Sequence, residues 1–199
     1  HVDTAAARAA PGVLAVLTGA DLAPHLAPLR VIVEPAPGDS YQATDWHAIA
    51  RERVRYVGEI IAVIVALDRY HAEDAAELVE IDYNALPVAA SIDAARAENA
   101  PCLHEDARDN VLYRIRRHSP AQDKADPFEN PPILVHISVQ HPRVSGLSME
   151  GAGAIAFVNT DNAKLSLISS TQTPHLIREI LSKSLKMDVA ELTVSAPDV

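Results

Sequence analysis

Nine histidines, one cysteine and a polar run ahead of a helix are the groups in this chain that could do chemistry. His136 and His141 lie on an alternating stretch, and an unbroken strand would turn them to opposite faces. No HExxH, CxxC or HxH spacing occurs and Cys102 has no cysteine partner, so no zinc-type ligand set is legible. His104-Glu105-Asp106 gathers imidazole and carboxylates, but in a polar loop where a solvated turn is the simpler account. The nucleophile-elbow sequence G-x-S-x-G is absent, and Gly19 and Gly58 stand alone without a phosphate-cradling loop. Cys102, after Pro101, reads as a bystander rather than a nucleophile.

The run Ser169-Ser170-Thr171-Gln172-Thr173-Pro174-His175 is different. It falls at the C-terminal end of an expected strand and the start of an expected helix, where unpaired N–H groups collect and ligands favour open α/β sheets. Gln172 offers both a donor and an acceptor to a ligand oxygen. Two readings share these residues: a binding turn, or a helix start at which Thr173 caps and Gln172 is plain surface.

The elements that would position these groups follow from periodicity. Ile60 to Leu67 is an apolar, β-branched run, too short to span a bilayer and expected to be a strand buried on both faces. Ala72, Ala75, Ala76 and Val79 then repeat at helical spacing, and Val79, Ile81 and Tyr83 alternate as a half-buried strand. Upstream, Asp3 or Thr4 caps a short helix ended by Pro11-Gly12, Val13–Leu17 is a strand, and Thr18 opens a helical turn. Residues 24–50, with four prolines and no period, are expected to be a long irregular loop that is functional or interface-forming. Ser91 caps a short helix, 99–110 is polar loop, Val111–Ile115 is a strand and 118–132 is proline-rich linker. Ile133, Val135, Ile137 and Val139 alternate as a half-buried strand, and Asn159–Asn162 supplies the turn of a hairpin. Thr173-Pro174 opens a helix with Leu176, Ile177, Ile180, Leu181 and Leu185 on its apolar face, and Glu191–Ala196 is a last strand. A domain boundary is expected within about 88–110.

Composition removes several classes of partner. A net charge of −10 argues against nucleic acid and against an anionic membrane surface. One cysteine in 199 residues fits a reducing compartment. The chain opens at His1 without a signal-peptide pattern and ends at Val199 straight after an apparent strand, as a section of a longer polypeptide would.

RVRYVGE followed by IIAVIVA and AEDAAELVEIDYNALP closely resembles the large-subunit signature of the molybdenum hydroxylases. PGVLAVLTGADL, HEDARDNV and SSTQTPHLIREIL resemble the same family in the same order. That family includes xanthine dehydrogenase, aldehyde oxidase and aerobic carbon-monoxide dehydrogenase, and the likeness is nearest to carbon-monoxide-dehydrogenase-like large chains. The resemblance covers most of the chain, excepting about 24–46 and 118–132. It implies an α+β fold: an α/β-hammerhead domain over 1–90 that lacks its first strands, a linker over 91–109, and the start of a molybdopterin-binding domain over 110–199. It implies a molybdenum–molybdopterin cofactor, in its cytosine dinucleotide form. Partners would be FAD-binding and 2Fe-2S subunits or domains in a cytoplasmic, oligomeric enzyme acting on a small molecule. In the family the glutamine of the S-T-Q motif hydrogen-bonds a metal oxo ligand, which makes Gln172 the one cofactor-binding residue expected here. No catalytic residue or metal ligand is expected, because the glycine-rich cofactor loop and the catalytic glutamate come later in the family.

Two departures stand out. The family usually reads M-E-P-R-G-A where this chain has Met149-Glu150-Gly151-Ala152-Gly153-Ala154, and a helix normally precedes the Ile133 strand where this chain is broken by prolines. The implied complete enzyme hydroxylates a carbon centre or oxidises CO with water as oxygen source, while these residues alone would be inactive. The other reading is a non-catalytic assembly module from a split or degraded gene, using loop 24–50 and the acidic helix face as interaction surfaces.

Overall fold

The computed structural model of the chain describes residues 1–30, 35–117, 128–142, 144, 146, 149 and 151–197. The first unit is built around an antiparallel pair, β2 (Val13–Thr18) and β4 (Ala62–Ala66), with Val16 opposite Ile64. Helices α1 (Ala5–Ala9) and α3 (Arg69–Glu77) cover one face of this pair, and Ala7, Val16 and Ala75 form its fully buried centre. Alanine on both helices lets them approach the strands closely, while Ala10, Val13, Ile64 and Val79 close the rim.

Sequence caps fix the ends of these helices. Asp68 Oδ1 caps α3 by accepting from His71 N at 3.0 Å, whereas the α1 N-cap Thr4 makes no side-chain capping bond and Asp3 Oδ1, one residue before it, accepts from Ala5 N at 2.8 Å. Thr18 N and Oγ1 both donate to Asp21 at 2.8 Å, opening the single turn α2 (Gly19–Leu22). β1 (Val2–Asp3) pairs β5 (Glu80–Ile81), so the expected 79–83 strand is shorter than its pattern.

The expectation that the Ile60–Leu67 strand is buried on both faces is not met. Its faces alternate: Ile64 turns to the core, whereas Val63 and Val65 are each 41% exposed. A strand is covered twice only when elements lie on both sides of its sheet, and α1 and α3 share one side here.

The described residues of loop 24–50, 24–30 and 35–50, are largely irregular but tied down. Leu29 and Trp46 form an isolated bridge, and β3 (Ser40–Tyr41) pairs β6 (Tyr113–Arg114). Thr44, Ile49 and Ala50 are buried. The 101–110 turn is drawn together by Asn110, at φ 55°, whose amide donates to Ala95 O and Pro101 O, both at 3.0 Å, and accepts from Leu103 N at 2.9 Å. Ser91 caps α4 (Ile92–Arg96) as its sequence predicts.

The second unit is a three-stranded sheet in the order β7 (Ala154–Val158), β8 (Leu165–Ser169), β9 (Leu192–Ser195). β7 and β8 form the expected hairpin, with Asn159 Oδ1 and Asn162 Oδ1 accepting from Asp161 N and Lys164 N inside its turn. β8 and β9 are parallel, joined through α5 (Pro174–Leu185) and a short 3-10 turn at Val189–Glu191. The alternating segment 133–139 is not a strand. It lies outside every ladder with Ile133, Val135, Ile137 and Val139 each at least 70% exposed. Period-two patterning gives a strand only where a partner accepts its hydrogen bonds, and none of the described residues does so. The proline-rich linker expected over 118–132 lies outside the described residues from 118 to 127.

Candidate functional site

β8 is the middle strand of its sheet, and its C-terminal end runs through four residues into α5. This is the junction that the SSTQTPH run predicts. Ser170 is fixed to the start of the neighbouring strand: its N donates to Gly153 O at 3.3 Å, and Gly153 N donates to Ser170 Oγ at 3.2 Å. Thr171 N turns back to Ser169 O at 2.9 Å. Gln172 then sits on an exposed bend with no hydrogen bond to another described residue.

Thr173 does not cap α5. Its side chain makes no capping bond, and Thr171 Oγ1 instead accepts from Thr173 N at 3.2 Å. Threonine at 173 has φ −131° and ψ 59°, outside the extended conformation from which an N-cap hydroxyl reaches back to the helix. Pro174 occupies the first helical position as expected. The first intrahelical donor reaching back is Ile177 N, to Thr173 O at 3.0 Å. The N–H groups of Gln172, His175 and Leu176 therefore have no backbone acceptor among the described residues, as the start of a helix leaves them.

The N-terminal half of α5 is tied to the start of β9. Arg178 Nε donates to Val189 O at 3.0 Å and Leu192 O at 2.9 Å, and its second nitrogen reaches Val189 O at 2.6 Å. These carbonyls lie on the 3-10 turn and the strand that follow the helix, so the guanidinium holds helix and return strand together. The local sequence shows Arg178 but not its partners, which is why it goes unnoticed there.

Other candidates separate from this turn. Cys102 Sγ donates to His104 O at 2.9 Å, and the His104 ring stacks on Trp46 with centroids 6.0 Å apart and planes 20° apart. His104 is thus a packing residue rather than a solvated one, and burial holds its pKa below the usual imidazole value, with Arg55 adding to the shift. Glu105 and Asp106 point to solvent. His136 and His141 lie exposed on the unpaired segment. No group of three His, Cys, Asp or Glu able to hold a metal occurs among the described residues.

The donor set at the turn decides which cofactor it could serve. A neutral amide and three open N–H groups suit oxygen atoms that carry negative charge, and none of them is a metal ligand. The turn fits a group that brings its metal with it and presents oxygen to the protein.

Residues 1–87 match the family model for the aldehyde oxidase and xanthine dehydrogenase a/b hammerhead domain, and residues 103–199 match that for the molybdopterin cofactor-binding domain. The chain is 32% identical to the carbon monoxide dehydrogenase large chain of Afipia carboxidovorans, over 100% of this chain and 25% of that one. It is 33% identical to the nicotine 6-hydroxylase large subunit of Paenarthrobacter nicotinovorans, over 99% of this chain and 23% of that one. The solved structure of quinoline 2-oxidoreductase from Pseudomonas putida 86 matches with a TM-score of 0.85 at 31% identity, over 100% of this chain and 25% of its own. The chain spans about a quarter of the length of the curated relatives it matches. No helix among the described residues is long and apolar enough to cross a membrane. With one family's two consecutive domains matched along it, the chain belongs to the aldehyde oxidase and xanthine dehydrogenase family of molybdenum oxidoreductases, as the hammerhead domain and the start of the molybdopterin-binding domain.

Proposed function

We propose that the complete protein is the large subunit of a molybdenum hydroxylase, and that Gln172 is this chain's contact with its cofactor. The observation that carries the reading is the exposed, unpartnered Gln172 amide between β8 and α5, beside a helix start whose first N–H groups are open. When bound, a molybdenum–molybdopterin cofactor, in its cytosine dinucleotide form, supplies the oxidation of an aldehyde carbon, an N-heterocycle carbon or CO with oxygen taken from water. Gln172 would donate its Nε2–H to a cofactor oxygen and fix its orientation, a polar contact of the kind that tunes a metal centre from outside its ligand shell. Ser170 and Gly153 fix the start of the turn from which this donor projects.

We divide the chain into 1–90, a connecting 91–109 and 110–199. Electrons would leave through iron–sulfur and FAD centres on partner subunits or domains of a cytoplasmic, oligomeric complex. The relatives are named as large chains and large subunits, which supports such an assembly. The non-catalytic reading uses loop 24–50 as an outward interaction surface. Among its described residues, Gln42, Asp39 and Ala27 hydrogen-bond within the chain, to Val111, Arg116 and Ser184.

Replacing Gln172 by Leu in the complete enzyme tests the proposal. Loss of one preorganised donor should lower kcat by about 10²-fold while the purified enzyme keeps its molybdenum. An unchanged kcat would remove Gln172 from the site.

A further inference from the structure

We propose that residues 24–27 of the first unit act as a positioning clamp on α5, and so set the orientation of the turn that carries Gln172; this rests on the reading of Gln172 given above. Ala27 N donates to Ser184 O at 2.8 Å, and Ser184 Oγ donates to Ala27 O at 3.2 Å. Lys186 Nζ donates to Pro24 O at 3.1 Å. These bonds join residues about 160 apart in sequence, and they meet the helix at its last turn.

Ser184 is the informative residue. It lies seven after Ile177 and three after Leu181, so it continues the apolar stripe, where a leucine or alanine would be expected. It is instead a serine only 4% exposed. A buried hydroxyl must find a partner, and this one finds Ala27. The N–H of the same residue, Ala27, supplies what the helix end lacks. Ser182 O and Lys183 O are met by Met187 N and Lys186 N from the chain's own turn, but Ser184 O has Ala27 N as its donor.

The clamp is itself rooted in the core. Leu26 N donates to Leu22 O at 3.0 Å, making 22–26 a continuation of α2, and an Arg51 nitrogen donates to Leu26 O at 3.3 Å. Gly19, the first residue of α2, lies so close to Ala50 that an added Cβ would stand 2.2 Å from its carbonyl oxygen. A continuous path therefore runs from the β2 strand through α2 and residues 22–27 to Ser184. From there α5 extends about 18 Å as a single rod to the turn at Gln172. No hydrogen bond or ion pair joins a described residue of the first unit to that turn, yet the first unit holds the other end of the helix that presents it.

The test compares Ser184→Ala, Ser184→Thr and the exposed Lys186→Met in the complete subunit, by amide hydrogen exchange and by steady-state kinetics. Lys186→Met keeps the experiment decisive should Ser184→Ala fold poorly. The reporter is the Ile177 amide, at the Gln172 end of α5. Ser184→Ala should speed its exchange by about tenfold, Lys186→Met should do so more weakly, and Ser184→Thr should restore protection. Correspondingly, kcat should fall by several-fold with KM unchanged in Ser184→Ala. Faster exchange confined to Lys186 and Met187 would show only a frayed helix end and overturn the clamp. So would accelerated Ile177 exchange with native kcat in an enzyme whose Gln172→Leu variant is impaired. A silent Gln172→Leu variant would sink the cofactor reading alone, and the Ile177 exchange would still decide whether the clamp orients the helix.

Discussion

The carboxylate of Asp39 receives three donors from a segment more than seventy residues away: Arg117, Arg116 N at 3.0 Å and Tyr113 OH at 3.1 Å. The Arg117 guanidinium, then the Arg116 amide, hold its pKa down to about 2. The folded value lies below the ordinary aspartate value of about 3.9, so the ionised form favours the folded state. This contribution is full above roughly pH 4 and is lost as pH falls through about 2. Acid titration followed through the Tyr113 and Arg114 amide resonances should show the β3–β6 pairing weaken over that window. Asp39→Asn should flatten the slope and loosen the pairing already at neutral pH. Asp109, lowered chiefly by the Gln42 amide, stays in the variant and leaves a residual slope. Identical titrations for the two proteins would dismiss Asp39 as the anchor. No local signal marks Asp39 in the sequence, because all its partners are remote; the position of Gln172 between a strand and a helix is legible because both flanking patterns are local.

At the scale of elements, what was legible is what short-range chemistry dictates. β2, α3 and the β7–β8 hairpin lie where period, cap and turn residues put them, and α5 lies where its period and Pro174 do. The outward face of β4 and the unpaired segment 133–139 depart from their sequence patterns for one reason: a strand's pattern states which face is apolar, not what covers it. A packing contact between elements shows the same limit from the other side. Pro11-Gly12 reads simply as a helix stop. In the fold Gly12 has φ 74°, and a Cβ there would stand 2.3 Å from Cδ2 of the His71 ring on α3. His71 cannot swing away freely, since its Nδ1 is held 2.8 Å from Asp68 Oδ1. Gly12→Ala should therefore cost about 2 kcal/mol or more, from the left-handed backbone and the clash together. Urea unfolding of Gly12→Ala, His71→Ala and the double variant would separate the two. The double variant should lose less than the sum of the singles. Strict additivity would mean that the α1–β2 turn and α3 do not press on each other.

Taken whole, the chain shows more apolar surface than a self-sufficient domain does. Val63 and Val65 face outward from the first unit, every residue of β7 is exposed, and the 133–139 segment offers alternating Ile and Val side chains to solvent. Patches of this kind mark surfaces that other structure covers, and the relatives are about four times as long. The turn at Gln172 is equally one-sided: it provides donors from a single strand–helix junction, whereas a buried cofactor needs walls all round to be held. Net charge of −10 gives the chain some protection against self-association, but it cannot replace missing packing. The 199 residues expressed alone should thus bind an apolar-surface dye strongly and carry no stoichiometric molybdenum after purification from cells that make the cofactor. Metal analysis of that material beside the complete subunit from the same cells is the direct measurement. One molybdenum per chain in the short form would mean that the open N–H groups of Gln172, His175 and Leu176, with the glutamine amide, suffice to retain the cofactor without a further wall.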